Sequence, residues 1–176
     1  MLINYKEKQK LYMFYHSFSI GYVEIPSLNS TLNIYTVGCP FHCKGCQNPE
    51  LQNIDHEERK VLNVNEIVKA VENSFGIIQG VCWLGGEPFF QFEECVSISK
   101  ELKEKLPNIP ITAYTGYTIE NLLEKDKSLA KYFDLIIDGQ WNGHPISDPL
   151  TNQRFWKSTN NEFVQLTYEQ YKCVKF

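Results

Sequence analysis

Three cysteines stand within eight residues, Cys39-Pro-Phe-His-Cys43-Lys-Gly-Cys46, in the spacing C-x3-C-x2-C. Thiolates crowded into one loop can converge on a metal centre, and thiolate donors select zinc or iron–sulfur clusters. A structural zinc site takes four protein ligands, often as two separated pairs. No second pair follows here. His42 is adjacent to Cys43 and poorly placed to complete the same tetrahedron, while the distant Cys82 keeps zinc open as an alternative. Three ligands on a four-iron cluster would instead leave one iron free for a substrate or cofactor, which is a catalytic arrangement.

Gly85-Gly86-Glu87-Pro88 is the second candidate. Gly-Gly and Glu-Pro both punctuate chains, so a plain turn is one reading. At the end of a strand, however, paired glycines let a ligand approach the backbone closely. A carboxylate beside them can hold an ammonium by a charge-assisted hydrogen bond. Thr115-Gly116 and Asp138-Gly139 end two further apolar segments and carry the same two readings, turn or rim of a site. Arg154, Ser158, Thr159 and Asn160 are expected in a polar loop that contacts cofactor or partner, or is simply solvated. Cys82 and Cys95 fall in a strand and a helix, where free cysteine packs as a small hydrophobe. His16, His56 and His144 lie in unpatterned stretches. The sequence offers no Ser/His/Asp set, no phosphate-binding Gly-rich loop and no paired acid/base carboxylates.

The elements that must position these residues alternate in type. Thr31 to Val37 alternates apolar and polar side chains as a strand does, and stops at Gly38. Asn63 with Glu66 three residues on reads as a capping box, after which Val64, Ile67, Val68 and Val71 share one helical face. Val81 to Leu84 is a short apolar strand. Phe92, Val96, Ser99, Leu102 and Leu106 follow helical spacing until Pro107 and Pro110 end it. Ile111 to Tyr114 and Asp134 to Asp138 are further strands, separated by a short helix that Thr118 starts. Phe18 to Glu24 and Glu162 to Thr167 are plausible additions. Strand–helix alternation with short connections implies βαβ units and a mostly parallel sheet. In such sheets functional groups gather beyond the carboxyl ends of the strands.

Composition bounds the answer. The chain has 176 residues, 43% of them hydrophobic, and 17 basic against 21 acidic residues give a net charge of −4. That is material for one globular domain, taken as 1–176, with no basic excess to meet the phosphates of a nucleic acid. The one basic stretch, Lys6 to Lys10, is short and interrupted by Glu7. A complete eight-unit β/α barrel needs at least about 200 residues. No secretory leader or membrane span is legible, and the uncharged stretch from Ile25 to Cys43 is broken by Pro26, Gly38 and Pro40. The expected compartment is the cytoplasm, where a tight cysteine cluster more often holds metal than disulfides.

The cysteine loop after a strand resembles the signature of radical S-adenosylmethionine (SAM) enzymes. The similarity extends to the branch that activates anaerobic (class III) ribonucleotide reductase. It is carried by Gly38 to Glu50, Trp83-Leu-Gly-Gly-Glu-Pro-Phe89, Tyr114-Thr-Gly-Tyr117, Ile137-Asp-Gly139 and Arg154-Phe155 followed by Ser158-Thr-Asn160. The resemblance implies an α/β fold, a partial (βα) barrel of about five to six mostly parallel strands with the cysteine loop at its open rim. It implies a 4Fe–4S cluster on Cys39, Cys43 and Cys46, and SAM bound by Gly45, Cys46, Gln47, Gly85, Gly86, Glu87 and Thr115. Gly85-Gly86-Glu87 would meet the amino group of SAM, and the end of the third strand its nucleoside. The implied activity is oxidoreductive: cleavage of SAM and generation of a glycyl radical on anaerobic ribonucleotide reductase. A flavodoxin or ferredoxin would be the electron donor.

The sequence departs from the family in places. Many radical SAM proteins place an aromatic residue before the last cluster cysteine, to pack on adenine; here it is Gly45, as is usual in this branch, so something else must cover the base. Lys157 stands where a glycine is expected and Thr159 where serine is common. The alternatives are an activase of another glycyl-radical enzyme, a small-molecule enzyme such as a deazaguanine-forming synthase, and a non-catalytic zinc-binding interaction module.

Overall fold

Apolar side chains that alternate along the strands need cover on both faces, and the chain supplies it from two sources. The computed structural model describes residues 12–176, so the basic stretch Lys6–Lys10 lies outside it. Strands β1 (Phe14–Gly21), β2 (Thr31–Thr36) and β3 (Lys60–Val61) are followed by helix α1 (Val64–Glu72) and strand β4 (Gly80–Gly85). Then come α2 (Phe92–Lys105), β5 (Ile111–Tyr114), α3 (Ile119–Lys125), β6 (Leu135–Asp138), β7 (Arg154–Thr159), β8 (Glu162–Leu166) and α4 (Tyr168–Lys172). Among the described residues all eight strands form one sheet, in the order β3-β1-β2-β4-β5-β6-β7-β8.

The centre, β2-β4-β5-β6, is parallel, as βαβ alternation requires. Both flanks are antiparallel. The sheet is open, so the expected partial barrel of five or six mostly parallel strands is met only in its centre. The reason lies in the connection after β6. A parallel return needs a crossover, usually a helix, but residues 139–153 form none and the chain comes back antiparallel. The Arg154–Asn160 segment is likewise not a loop. It is strand β7, turned into β8 by Asn160 and Asn161, whose φ angles of 53° and 63° match the left-handed pair of a type I′ hairpin.

One face of the sheet, with Leu32, Ile34, Val81, Trp83, Ile111, Ala113 and Ile136, packs against the helices. The alternate residues, Cys82, Leu135 and Ile137, face the other way and meet Ile25, Leu28, Ile146, Tyr171 and Val174. That second face is thus covered by the β1–β2 connection, the loop after β6 and the last helix. The expected strand Phe18–Glu24 sits earlier, because the chain leaves the sheet after Gly21 and turns through Pro26 and Ser27 (φ 63°). α1 buries Val64, Ile67 and Val71 and is capped by Asn63, whose side chain accepts from the Asn65 N–H at 3.0 Å. The reciprocal half of the capping box is replaced, since the Glu66 side chain turns to the Tyr15 hydroxyl. No helix among the described residues is long and apolar enough to cross a membrane.

Candidate functional site

β2 delivers the cysteine loop to the carboxyl edge of the sheet. Gly38, at φ +87°, turns the chain out, and the Gly38 and Cys39 N–H groups donate to the carbonyls of Leu51 and Gln52 at 2.8 and 2.9 Å. The loop is therefore tied at its base to its own return, a 3₁₀ turn at Pro49–Gln52. Cys39, Cys43 and Cys46 are half-buried free thiols. They line one cavity of about 580 Å³ together with Gln47, Gly85, Gly86, Glu87 and Thr115. Of the residues expected to hold the cluster or SAM, Gly45 alone is not in its wall; it stands at φ +75° with open space around it.

Three thiols and the Glu87 carboxyl share this cavity, and no Lys, Arg or His among the described residues lines it. Burial pushes the Cys39 thiol up to about 11; a hydrogen bond from the Phe41 backbone works against that, and the charges of Glu87, Cys43 and Cys46 add to it. An assembly of anionic donors without a side-chain cation is suited to a cationic centre. A fourth protein thiolate is not at hand. Cys82 is fully buried in the second face of the sheet, and burial raises its thiol to about 12. Among the described residues no three His, Cys, Asp or Glu side chains converge on a single-ion position. The donor set fits a polynuclear cluster held at three corners.

The glycines of the second motif serve the backbone first. A Cβ on Gly85 would lie 2.6 Å from the Thr36 nitrogen, and one on Gly86 would lie 2.7 Å from the Gly38 oxygen and 2.8 Å from that of Leu51. Bare Cα atoms here let β4, the end of β2 and the return of the cysteine loop pack in direct contact. Hydrogen bonds from Gly86 N–H to Thr36 O (2.9 Å) and Glu87 N–H to Gly38 O (2.8 Å) lock that arrangement. Glu87 is only 2% exposed. Its Oε1 accepts from Phe89 N–H at 2.9 Å and Thr115 Oγ1 at 2.8 Å, and its Oε2 from Gly116 N–H at 2.7 Å. The carboxyl thereby joins the end of β4 to the end of β5. Burial moves its pKa up to about 7, against the opposing pull of these three donors.

Asp138, at 0% exposure, is a structural clasp. It accepts from Ile119 N–H at the start of α3 (2.6 Å) and from Arg154 Nε (3.0 Å) and Nη2 (2.5 Å), while Arg154 also forks onto Glu120. Neither Asp138 nor Arg154 lines the cavity. Sequence reasoning did not find Phe41, whose ring covers Gly116 so closely that a Cβ there would lie 2.6 Å from it, and which meets Tyr117 edge-on at 5.0 Å. Nor did it find the aromatic lining by Tyr35, Tyr114 and Trp141. The position of Phe41 inside C-x3-C was the available signal; Trp141 had none.

A family model described as a 4Fe-4S single cluster domain matches residues 30–166, which include the cysteine loop and every strand end around the cavity. The chain belongs to that family. This 4Fe-4S single cluster domain protein is similar to the anaerobic ribonucleoside-triphosphate reductase-activating protein of Vibrio cholerae, at 24% identity over 156 residues, covering 86% of this chain and 97% of that protein. The protein of the same name from Haemophilus influenzae is 22% identical over 140 residues, covering 74% of this chain and 84% of its own. Among solved structures, QueE from Escherichia coli overlays 61% of this chain and 54% of its own length, with a TM-score of 0.49 and 11% identity.

Proposed function

We propose that the chain, acting as a single radical SAM domain over 1–176, is an activase that generates a glycyl radical on an anaerobic ribonucleotide reductase. The observation that carries this is the placement of three half-buried thiols, with no fourth protein ligand and no side-chain cation among the described residues, in the wall of a cavity at the carboxyl ends of parallel strands. Two relatives that span most of the chain and are named as activators of that reductase support the choice of partner. When bound, the cluster would pass one electron from flavodoxin or ferredoxin to SAM, giving methionine and a 5′-deoxyadenosyl radical.

The chain's own part is to hold and orient. Cys39, Cys43 and Cys46 would hold the cluster by their thiolates, and SAM would lie beside it in the same cavity. Glu87 offers the ammonium a partner: an ionised carboxylate has about four acceptor sites, and three are filled by Phe89, Thr115 and Gly116. A bound ammonium would favour its charged form and pull its pKa down from about 7. Gly85 and Gly86 keep this carboxyl against the cysteine loop, Gln47 and Thr115 add polar wall, and Gly45 supplies the left-handed backbone, φ +75°, that leads into Cys46.

Anaerobically reconstituted protein, mixed with SAM, a reductant and the reductase, should give a glycyl radical in electron paramagnetic resonance, together with 5′-deoxyadenosine. Cys43→Ala should lose both. 5′-Deoxyadenosine without the protein radical would remove the reductase as substrate. One zinc per chain, with neither iron nor sulfide, would remove the whole proposal.

A further inference from the structure

The antiparallel return of β7 carries a lysine to the far end of the sheet. Lys157 pairs in register with Leu135, the first residue of β6, and so stands at the amino-end edge, opposite the cysteine loop. A second cavity, of about 410 Å³, opens there. Its wall takes Lys103 from the last turn of α2, Pro107 to Pro110 from the α2–β5 connection, Asp134, Lys157, and Lys175 and Phe176 from beyond α4. Three ammonium groups thus share the wall with one side-chain carboxylate. That carboxylate is already engaged: Asp134 Oδ2 accepts from Lys103 Nζ and from Ile111 N–H, both at 2.6 Å. Lys157 is half-buried, yet its Nζ meets only the Lys175 carbonyl, at 2.8 Å, and the face of the Phe176 ring, 5.9 Å from its centre. The Lys175 ammonium has no partner among the described residues.

Two positive charges are therefore left without a carboxylate at one hollow, one of them partly withdrawn from water, and such a charge is costly unless it is paired. The donor type also selects among anions. A planar carboxylate is best met by the fork of arginine, and no arginine lines this cavity; lysine acts as a point charge and suits phosphate. A phosphate monoester carries nearly two negative charges at neutral pH, which matches the two that are left over. Ile109, Pro110 and Phe176 make the remaining wall apolar, so there is cover for an organic group beside the phosphoryl oxygens. Position 157 is also where the sequence departs from the glycine expected in its branch, so the site belongs to this chain's own sequence. We propose that this cavity binds a phosphate monoester, its phosphoryl group held by Lys157 and Lys175 and its organic part laid on Ile109 and Phe176. None of these residues lines the cavity of the three thiols, so the site stands apart from the activase reading.

The test is calorimetric titration of anaerobically reconstituted full-length protein with phenyl phosphate and with inorganic phosphate, each compared with sodium chloride at the same ionic strength. Phenyl phosphate should saturate at one per chain and bind more tightly than inorganic phosphate, which lacks the organic part. Lys157→Met, which keeps the apolar stem, should weaken phenyl phosphate about tenfold or more, the loss expected of one hydrogen bond to a charged group. Lys175→Met, outside every strand and helix, should weaken it as well, so the outcome does not depend on how β7 tolerates a change. Lys69→Met, on the exposed side of α1, removes the same charge and should leave the affinity as it is. No saturation beyond the chloride response, equal affinity for the two phosphates, or binding that survives Lys157→Met and Lys175→Met would each overturn the assignment. A loss shared by Lys69→Met would also overturn it, because it would reduce the effect to net charge. Formation of 5′-deoxyadenosine from SAM decides the activase reading separately, whichever of these results is found.

Discussion

Replacing Glu87 by Gln separates two forces that meet at this carboxyl. Burial raises its pKa from the ordinary 4.5 to about 7. At about 1.4 kcal/mol per pH unit, ionising it in the folded protein costs about 3 kcal/mol more than in the unfolded chain. Because the folded value is the higher one, this stabilising contribution is complete below pH 4.5 and is lost as pH rises through about 7. Glutamine carries no such dependence. It keeps one acceptor oxygen for Phe89 and Thr115 but sets an NH2 against the Gly116 N–H that Oε2 now accepts at 2.7 Å. Two opposed donors in a buried site cost about 1–3 kcal/mol. In urea titrations of cluster-free protein, Glu87→Gln should therefore be about 1–3 kcal/mol less stable than wild type at pH 5. The deficit should close, or reverse, by pH 8.5. A deficit that stays constant from pH 5 to 8.5 would refute the argument, since it would mean that burial does not act on the charge of Glu87.

Five more outcomes follow from the geometry. Gly86→Ala places a methyl 2.7 Å from the Gly38 oxygen, so it should displace the cysteine loop and lower the iron bound per chain to less than about half. Gly45→Ala, which has open space at φ +75°, should lose about 1 kcal/mol of stability yet keep its iron. Asp138→Ala should cost about 3–5 kcal/mol in urea unfolding, by stripping Arg154 and the start of α3 of a buried partner. Glu120→Ala, at the exposed end of the same network, should cost under about 1 kcal/mol. Phe75 is 96% exposed and held at φ 51°, so Phe75→Gly should raise the melting temperature by about 2–4 °C; a lowered one would show that the ring is held by contacts.

The parallel centre was legible because burial on both faces leaves near-continuous apolar runs, as in Val81–Leu84 and Ile111–Tyr114. The flanks were not, since the direction of β7 depends on whether 139–153 forms a crossover, and that segment has no pattern to say so. Asn160-Asn161 between alternating segments did carry a hairpin signal. The cysteines were found through their spacing, but the tasks of their neighbours were not. Gly85 and Gly86 were expected to make room for a ligand; the structure shows that they make room for other backbone, a requirement created by residues about fifty positions earlier. Glu87 was read as a free acceptor, whereas its three donors come from β5 and the turn after β4. Such needs are tertiary and leave no local period.

The floor beneath the cavity joins distant parts of the chain. The hydroxyls of Tyr114 and Tyr171 both donate to the Glu24 carbonyl, the second contact linking residues 147 apart, and Tyr171 stacks on Phe155 at 4.1 Å. The chain through α4 must therefore be available before residues 22–25 can settle under the site. Until then the cysteine loop can form, being tied to Pro49–Gln52, but the chamber below it is incomplete. Contacts of such long range form late in folding. Folding thus has an order of events in which the thiols are ready before their enclosure is, and cluster loading is best timed after α4 has docked.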